Sequence, residues 1–259
     1  AFPDALNNRA LALQSMRRLE EALASVERAL QADGGFAQAW NNRGVILFDL
    51  KRSAEALASY ERALALRADY AEALNNRSAA LFALKRFAEA LNDSDRALAL
   101  KPEFADALYN RGNALSELNR PLDALSSYEQ VLAVDPAHPR ALSGLANAAM
   151  TIGDWERTSK LAAKLKSEVL AGKALIQPFV LMGYWDDNEL QLRCSQKYVQ
   201  EAGPGPLAPL WTGETYKHDK IRIAYLSADF HEHVTATLTV EMFEHHDRER
   251  FEITAVSFG

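Results

Sequence analysis

Residues 36–69 read FAQAWNNRGVILFDLKRSAEALASYERALALRAD, one copy of a unit that recurs every 34 residues. Phe2, Phe36, Tyr70, Phe104 and His138 open successive copies. Asn8, Asn42, Asn76 and Asn110 keep the same step, as do Arg9, Arg43, Arg77 and Arg111. A fixed period of this length is the signature of a stacked helical solenoid. Each copy holds two apolar-periodic runs around a short polar break. In the copy quoted, Trp40, Gly44 and Leu47 share one face of the first run, and Leu57, Tyr60 and Leu64 share one face of the second. That spacing belongs to amphipathic helices, not strands.

The breaks RRLE, KRSA, KRFA and NRPL are short and polar. Ser53 is placed to cap a helix with its side-chain oxygen, and Pro121 stands where a helix begins, where its missing N–H costs little. Pro102 and Pro136 separate copies. A single copy cannot bury its own apolar face, so stability requires stacking.

The unit resembles the tetratricopeptide repeat. Its aromatic, small, Ala, large, Ala and Pro places are filled here by Trp40, Gly44, Ala56, Tyr60, Ala63 and Ala68, and in the fourth copy by Leu108, Gly112, Ala124, Tyr128, Val131 and Pro136. Small residues at these places let neighbouring helices approach. The place before the small residue holds Arg where the family usually has Leu. An Arg stem can lie on apolar surface with its head in water, and pairing with Glu or Asp of adjacent helices is the plain role for this series.

Net charge is −6 over 259 residues, with 48% hydrophobic and 25% charged residues. This composition is that of a globular protein, and the acidic balance supplies no field for nucleic acid or an anionic membrane. No apolar run approaches the length of a membrane span. One cysteine, Cys194, excludes a disulfide within the chain and points to a reducing, cytoplasmic setting; on an apolar helix it reads as a small buried residue. The start AFPDALNNRA is not a signal peptide and begins inside a repeat, so the expectation is a chain cut at both ends.

Beyond the fourth copy the pattern decays. Leu142, Leu145 and Ala146 stay in phase, then Asp154 and Trp155 depart from it, with a second helix expected over about 156–170. A degenerate last repeat is the usual cap of a solenoid. Residues 174–200 leave the period, with Pro178 breaking the first part and a helix over 186–200. GPGPLAPLWTG (203–213) is a linker by composition. IRIAYLS (221–227) and FEITAVS (251–257) then read as buried strands around a helix at Thr235–His246, a parallel right-handed βαβ unit. The expected layout is four repeats over 1–137, a degenerate repeat and helical bridge over 138–202, a linker over 203–219, and a βαβ start of a larger α/β domain over 220–259. The fold class is mainly α.

LSADFHEHV (226–234) ends the first strand, where open α/β sheets bind ligands. With its surroundings it resembles the first catalytic segment of the protein O-linked N-acetylglucosamine transferases. In that family tetratricopeptide repeats run into a two-lobed GT-B region, entered by a basic residue, a strand, Asp-Phe-x-x-His-Pro, a helix and an Arg-Phe-Glu strand. The counterparts are Lys220, Ile221 to Ser227, Asp229, Phe230 and His233, then Arg250, Phe251 and Glu252. Gly153-Asp154-Trp155 and Gln177-Pro178-Phe179 are similar to that family's bridge.

The resemblance implies a glycosyltransferase using UDP-N-acetylglucosamine, with no bound cofactor or metal, and gives His233 the place of a histidine near the donor phosphates and acceptor hydroxyl. A neutral imidazole suits that role. Val234 replaces the family's Pro, and His231 stands beside it, so either histidine could face the site. The second lobe, which carries most of the nucleotide pocket, lies outside these residues, so the chain as it stands is expected to be inactive. The resemblance also makes Asn8, Asn42, Asn76 and Asn110 a ladder that holds the acceptor polypeptide, since an amide offers both donor and acceptor to a peptide backbone. The other role for the ladder is stiffening, each Asn bonding the next repeat. Asn7, Asn41 and Asn75 adjoin it, with Tyr109 in that place in the fourth copy. His231, Glu232, His233, His245 and His246 also raise a metal site, but nothing in the spacing fixes a third ligand and HExxH is absent. The alternative function is a repeat adaptor without enzymatic activity.

Overall fold

The computed structural model describes residues 2–202, 219–227 and 245–257. It divides into two compact units, Ala1–Gly205 and Pro206–Gly259.

The first unit is a helical solenoid. Its first four repeats are the hairpins α1 (Pro3–Ser15) with α2 (Leu19–Ala32), α3 (Ala37–Asp49) with α4 (Ser53–Leu66), α5 (Ala71–Ala83) with α6 (Phe87–Leu100), and α7 (Ala105–Glu117) with α8 (Pro121–Val134). A fifth, α9 (Ala141–Thr151) with α10 (Trp155–Ala171), follows. The first helix of each hairpin packs on the second and on the first helix of the next repeat, whereas the second helices are not drawn together in that way. The stack therefore curves with the first helices on its inner side.

The close approach rests on alanine. Ala22, Ala56, Ala90 and Ala124 are fully buried at one recurring place in the second helices, and Ala39, Ala73 and Ala107 in the first. Each buried methyl replaces a side chain that would hold the axes apart. One pair of facing places varies jointly, always 16 residues apart: Ala10 with Val26, Gly44 with Tyr60, Ser78 with Ser94, Gly112 with Tyr128. Where the second residue is Tyr, the first is Gly. In the third repeat two serines meet instead, Ser78 and Ser94 at 2.7 Å, and Ser78 Oγ also donates to Ala90 O at 2.8 Å.

The turn inside each hairpin is the same in all five repeats. Arg17, Lys51, Lys85, Asn119 and Gly153 are left-handed, with φ between 57° and 68°. In the second repeat Lys51 N–H bonds Phe48 O and Arg52 N–H bonds Leu47 O, both at 2.9 Å. This six-to-one and five-to-two pair closes the helix end with a left-handed residue. Ser53 is the first residue of α4 and makes no capping bond; Arg52 occupies the cap. The expected Ser53 cap fails because the left-handed turn at Lys51 is followed by a helix that starts one residue earlier than a serine cap requires. Pro121 does begin α8, and Asp154 caps α10, accepting from Arg157 N–H at 3.0 Å.

Beyond α10 come α11 (Pro178–Met182) and α12 (Asn188–Ala202). They close the end of the stack over Leu142, Leu165, Ile176, Leu181 and Leu190, and Cys194 is buried there with its thiol on Ile176 O. Although the sequence pattern lapses, Gln177 still lies one period after Ser143 and donates its N–H to Ser143 Oγ at 3.0 Å.

In the second unit β1 (Ile221–Ser227) and β2 (Phe251–Ser257) pair in parallel, Ile221 opposite Phe251 through Ser227 opposite Ser257. The strands were expected to be buried; Ile221 is 56% and Val256 41% exposed. Among the described residues no layer covers the two faces of this two-stranded sheet, so β-branched side chains stay in contact with solvent. Most of the expected helix, 235–244, lies outside the described residues, and His245 and His246 form part of a turn. No helix among the described residues is long and apolar enough to cross a membrane.

Candidate functional site

The inner face of the solenoid is built by α1, α3, α5, α7 and α9, and its polar centre is the pair of asparagines that begins NNR in the first three repeats. A helix turns 100° per residue, so adjacent residues diverge, one toward each neighbouring repeat. Asn42 Nδ2 donates to Asn7 Oδ1 at 2.8 Å, Asn76 Nδ2 to Asn41 Oδ1 at 3.0 Å, and Asn110 Nδ2 to Asn75 Oδ1 at 2.9 Å, each across 35 residues. A longer contact of 3.5 Å from Asn75 Nδ2 to Asn76 Oδ1 joins the last two rungs. The amides of Asn110, Asn75, Asn76 and Asn41 thus point head to tail along the stack.

The four ladder residues make no hydrogen bond to one another among the described residues. Asn42 is buried, Asn76 and Asn110 are half-buried, and Asn8 is exposed and makes no rung among the described residues. Each linked amide donates to the preceding repeat; Asn110 Nδ2 also contacts Asn75 O at 3.4 Å, whereas the bonds of Asn42 and Asn76 each engage one of the two N–H groups of an amide. The acceptors Asn7, Asn41 and Asn75 are as much part of the array as the donors, and all three are buried. Their signal was the same 34-residue step one position earlier. Gln14 Nε2 forms a further link of this kind to Asp49 Oδ2 at 2.8 Å.

Arginines brace the same helices from behind. Arg43 donates to Glu27 of the preceding second helix (2.9 Å) and to Ser59 of its own (2.8 Å). Arg111 repeats this with Asp95 (2.7 Å) and Ser127 (2.8 Å). In the third repeat Asp93 stands in the serine's place, and Arg77 grips both its oxygens at 2.6 and 2.7 Å. That hydrogen-bonded carboxylate raises the Arg77 guanidinium pKa further. The expected pairing of the series with carboxylates of adjacent helices is therefore present at Arg43, Arg77 and Arg111.

The array ends at Tyr109 and Gly144, which replace the two asparagines in successive repeats. The Tyr109 ring lies 4.9 Å from that of His138 and 5.9 Å from that of Tyr128. Burial lifts the Tyr109 phenol above its ordinary value, opposed by its bonds to Asn113 and Arg140. His138 Nδ1 accepts from Ala141 N–H at 3.2 Å, and its other nitrogen faces Asp106 at 3.6 Å, which holds that carboxyl below the usual range. Past this cluster, the extended segment before α11 sets its backbone on α9: Leu175 N–H donates to Pro139 O at 2.7 Å, and two residues on Gln177 N–H donates to Ser143 Oγ. The place that accepts an amide rung in earlier repeats here accepts a main-chain N–H.

His231 and His233, with Asp229, Phe230 and Glu232, lie outside the described residues. His246 Nε2 is 2.9 Å from the Tyr225 hydroxyl, and its ring packs edge-on against Tyr225 and Phe251. Among the described residues no group of His, Cys, Asp or Glu is arranged to hold a metal ion.

Family models described as tetratricopeptide repeat match residues 3–35, 37–70 and 109–157, and one described as TPR repeat matches 79–119. No curated protein sequence matches the chain significantly. Among solved structures, Pseudomonas aeruginosa PilF aligns with a TM-score of 0.62 at 20% identity, over 79% of this chain and 93% of that one. A thermophilic tetratricopeptide-repeat protein from Thermus thermophilus aligns with a TM-score of 0.55 at 20% identity, over 76% and 99%. YrrB, described as a tetratricopeptide-repeat protein with an unusual peptide-binding site, aligns with a TM-score of 0.53 at 22% identity, over 74% and 90%. At such identities the likeness is one of fold.

Proposed function

Since this chain is a tetratricopeptide-repeat protein, a scaffold for protein–protein interaction, we propose that its inner face holds an extended polypeptide and presents it for glycosylation. The observation that carries the first half is the amide array. It presents an exposed amide at Asn8 and half-buried ones at Asn76 and Asn110, groups that meet a peptide backbone without selecting its side chains. The N–H of Gln177 on Ser143 supplies an internal precedent, an extended backbone bonded to this face.

The second half rests on the likeness of residues 220–252 to the opening of an O-linked N-acetylglucosamine transferase lobe. In this reading the parallel strands β1 and β2 begin a GT-B domain, UDP-N-acetylglucosamine is the donor, and His233 takes the proton from the acceptor Ser or Thr. The buried thiol of Cys194 suits a cytoplasmic enzyme.

The test is incubation of the full-length protein with UDP-N-acetylglucosamine and a protein lysate, read by mass spectrometry. Addition of one N-acetylhexosamine to Ser or Thr supports the enzyme. Absence of transfer, together with absence of donor binding in calorimetry, replaces it with a repeat adaptor. That second reading is favoured by the described neighbour YrrB, in which a peptide-binding site is borne by a protein of this fold.

A further inference from the structure

The edge of the solenoid where each first helix turns into its second carries a row of cations that the inner-face reading does not use. Arg17, Lys51 and Lys85 stand one period apart, exposed to solvent, and enter no ion pair among the described residues. Their neighbours Arg18, Arg52 and Arg86 are exposed too, but each is tied to the carboxylate three residues on, Glu21, Glu55 and Glu89, at 2.6–2.7 Å. Glu20 adds a further carboxylate near Arg52. The neutralised member of each basic pair thus belongs to the fold, and the first member is left over.

That leftover cation is also the wrong residue for its backbone. At φ of 60° to 64° a side chain crowds the following carbonyl. Asn119 and Gly153, the same turn in the fourth and fifth repeats, are the residues that tolerate the conformation. Three repeats place a long, unpaired cation where the fold favours glycine. Strain retained at a recurring exposed place argues for a use outside the fold.

We propose that this edge is a second interaction surface, on which Arg17, Lys51 and Lys85 take the carboxylates of an acidic, extended polypeptide segment. The first helices that end just before these residues pack on one another, and packed helices lie about 8–10 Å apart, which about three residues of extended chain span at ~3.3 Å each, so a carboxylate at every third residue matches the row. Three unpaired cations in a chain of net charge −6 fall well short of the run of phosphate contacts that drives nucleic-acid binding. The surface is separate from the amide array, and its test is independent of any glycosyl transfer.

A fluorescent peptide of repeating Glu-Gly-Gly, followed by anisotropy at low salt against the whole chain, reads it directly. Binding that weakens with salt and falls at least about tenfold in the triple variant Arg17→Gln/Lys51→Gln/Lys85→Gln, but not in Lys173→Gln, an exposed cation outside the row, is the expected result. The variant Arg17→Gly/Lys51→Gly/Lys85→Gly separates binding from structure: it loses the same affinity while Tm rises by roughly 5 °C, as the left-handed strain is relieved. A fall in Tm would make the three side chains structural and overturn the proposal. So would unchanged peptide binding in either triple variant, or tighter binding of single-stranded DNA or anionic vesicles than of the peptide.

Discussion

A Cβ placed on Gly44 would stand 2.4 Å from Cε1 of Tyr60, and one on Gly112 would stand 2.7 Å from the same atom of Tyr128. The ring of each tyrosine lies on the bare backbone of the helix it packs against. Gly144 of the next repeat meets the same ring atoms of Tyr128, where a Cβ would stand 2.6 Å away. Tyr60 and Tyr128 are 1% and 3% exposed, so neither ring has room to withdraw.

Gly44→Ala should therefore destabilise the solenoid by about 1–3 kcal/mol through overpacking. Pairing it with Tyr60→Val reproduces the Ala10 and Val26 combination of the first repeat. The double variant should lose less than the sum of the two single variants. Urea unfolding of all three measures the coupling; strict additivity would show that the two places are not matched by volume.

The rungs make a prediction about Asn42. Asn42→Ala leaves the Oδ1 of Asn7, itself 2% exposed, without its donor, at a cost of about 1–3 kcal/mol. The double variant Asn7→Ala/Asn42→Ala removes both partners and should cost less than the two separate losses added together. Asn76→Ala should also weaken capture of an extended peptide, measured by calorimetry. Loss of stability without loss of peptide affinity would make the array a stiffening device alone.

The arginine brace is uneven. Asp93 is 3% exposed at its side chain, whereas Glu27 is 43% exposed. Arg77→Leu leaves the buried carboxylate only its longer contact to Arg96 at 3.5 Å and should cost up to about 3–5 kcal/mol. Arg43→Leu loses a solvent-screened pair worth under about 1 kcal/mol, plus its bond to Ser59. Thermal melts of the two variants give the order; equal losses would mean that Arg96 takes over the pairing of Asp93.

Burial lifts the Tyr60 phenol well above its ordinary value, aided by the negative charge of Asp49, and burial does the same at Tyr128. A raised folded-state pKa gives stability that is complete below the unfolded value, about 10, and is lost as pH rises through the folded value. The solenoid should therefore weaken in alkali above pH ~10. Phenolate absorbance should show exposed tyrosines ionising first and these two only with unfolding. Ionisation of all tyrosines ahead of the loss of helical circular dichroism would contradict this.

If the proposed glycosyl transfer is found, His233→Ala should lower its turnover more than His231→Ala, by the ~10²–10⁴-fold typical of a general base. The reverse order would move the role to His231.

The helices, their period and the alanine contacts were readable in the chain because they are local or strictly periodic. Two apolar faces per 34 residues admit one way of stacking. The strands were readable for the same reason, as short runs of β-branched residues, and both stand where the runs lie. What covers a strand is not a local property, and there Ile221 and Val256 departed from the buried expectation.

The candidate site was half legible. The sequence by itself determined that Asn8, Asn42, Asn76 and Asn110 occupy equivalent places on successive helices. It could not determine that Asn42 reaches Asn7 rather than Asn8, because that depends on the twist between repeats, which shifts neighbours from 34 to 35 residues apart. Likewise, Arg17, Lys51 and Lys85 were visible as polar turn residues, but only the folded hairpin shows them left-handed and, among the described residues, unpaired beside arginines that are paired. Periodicity is set by each helix burying its own face; partners and strain are set by how one helix lies against the next, which the chain settles only when the whole stack has closed.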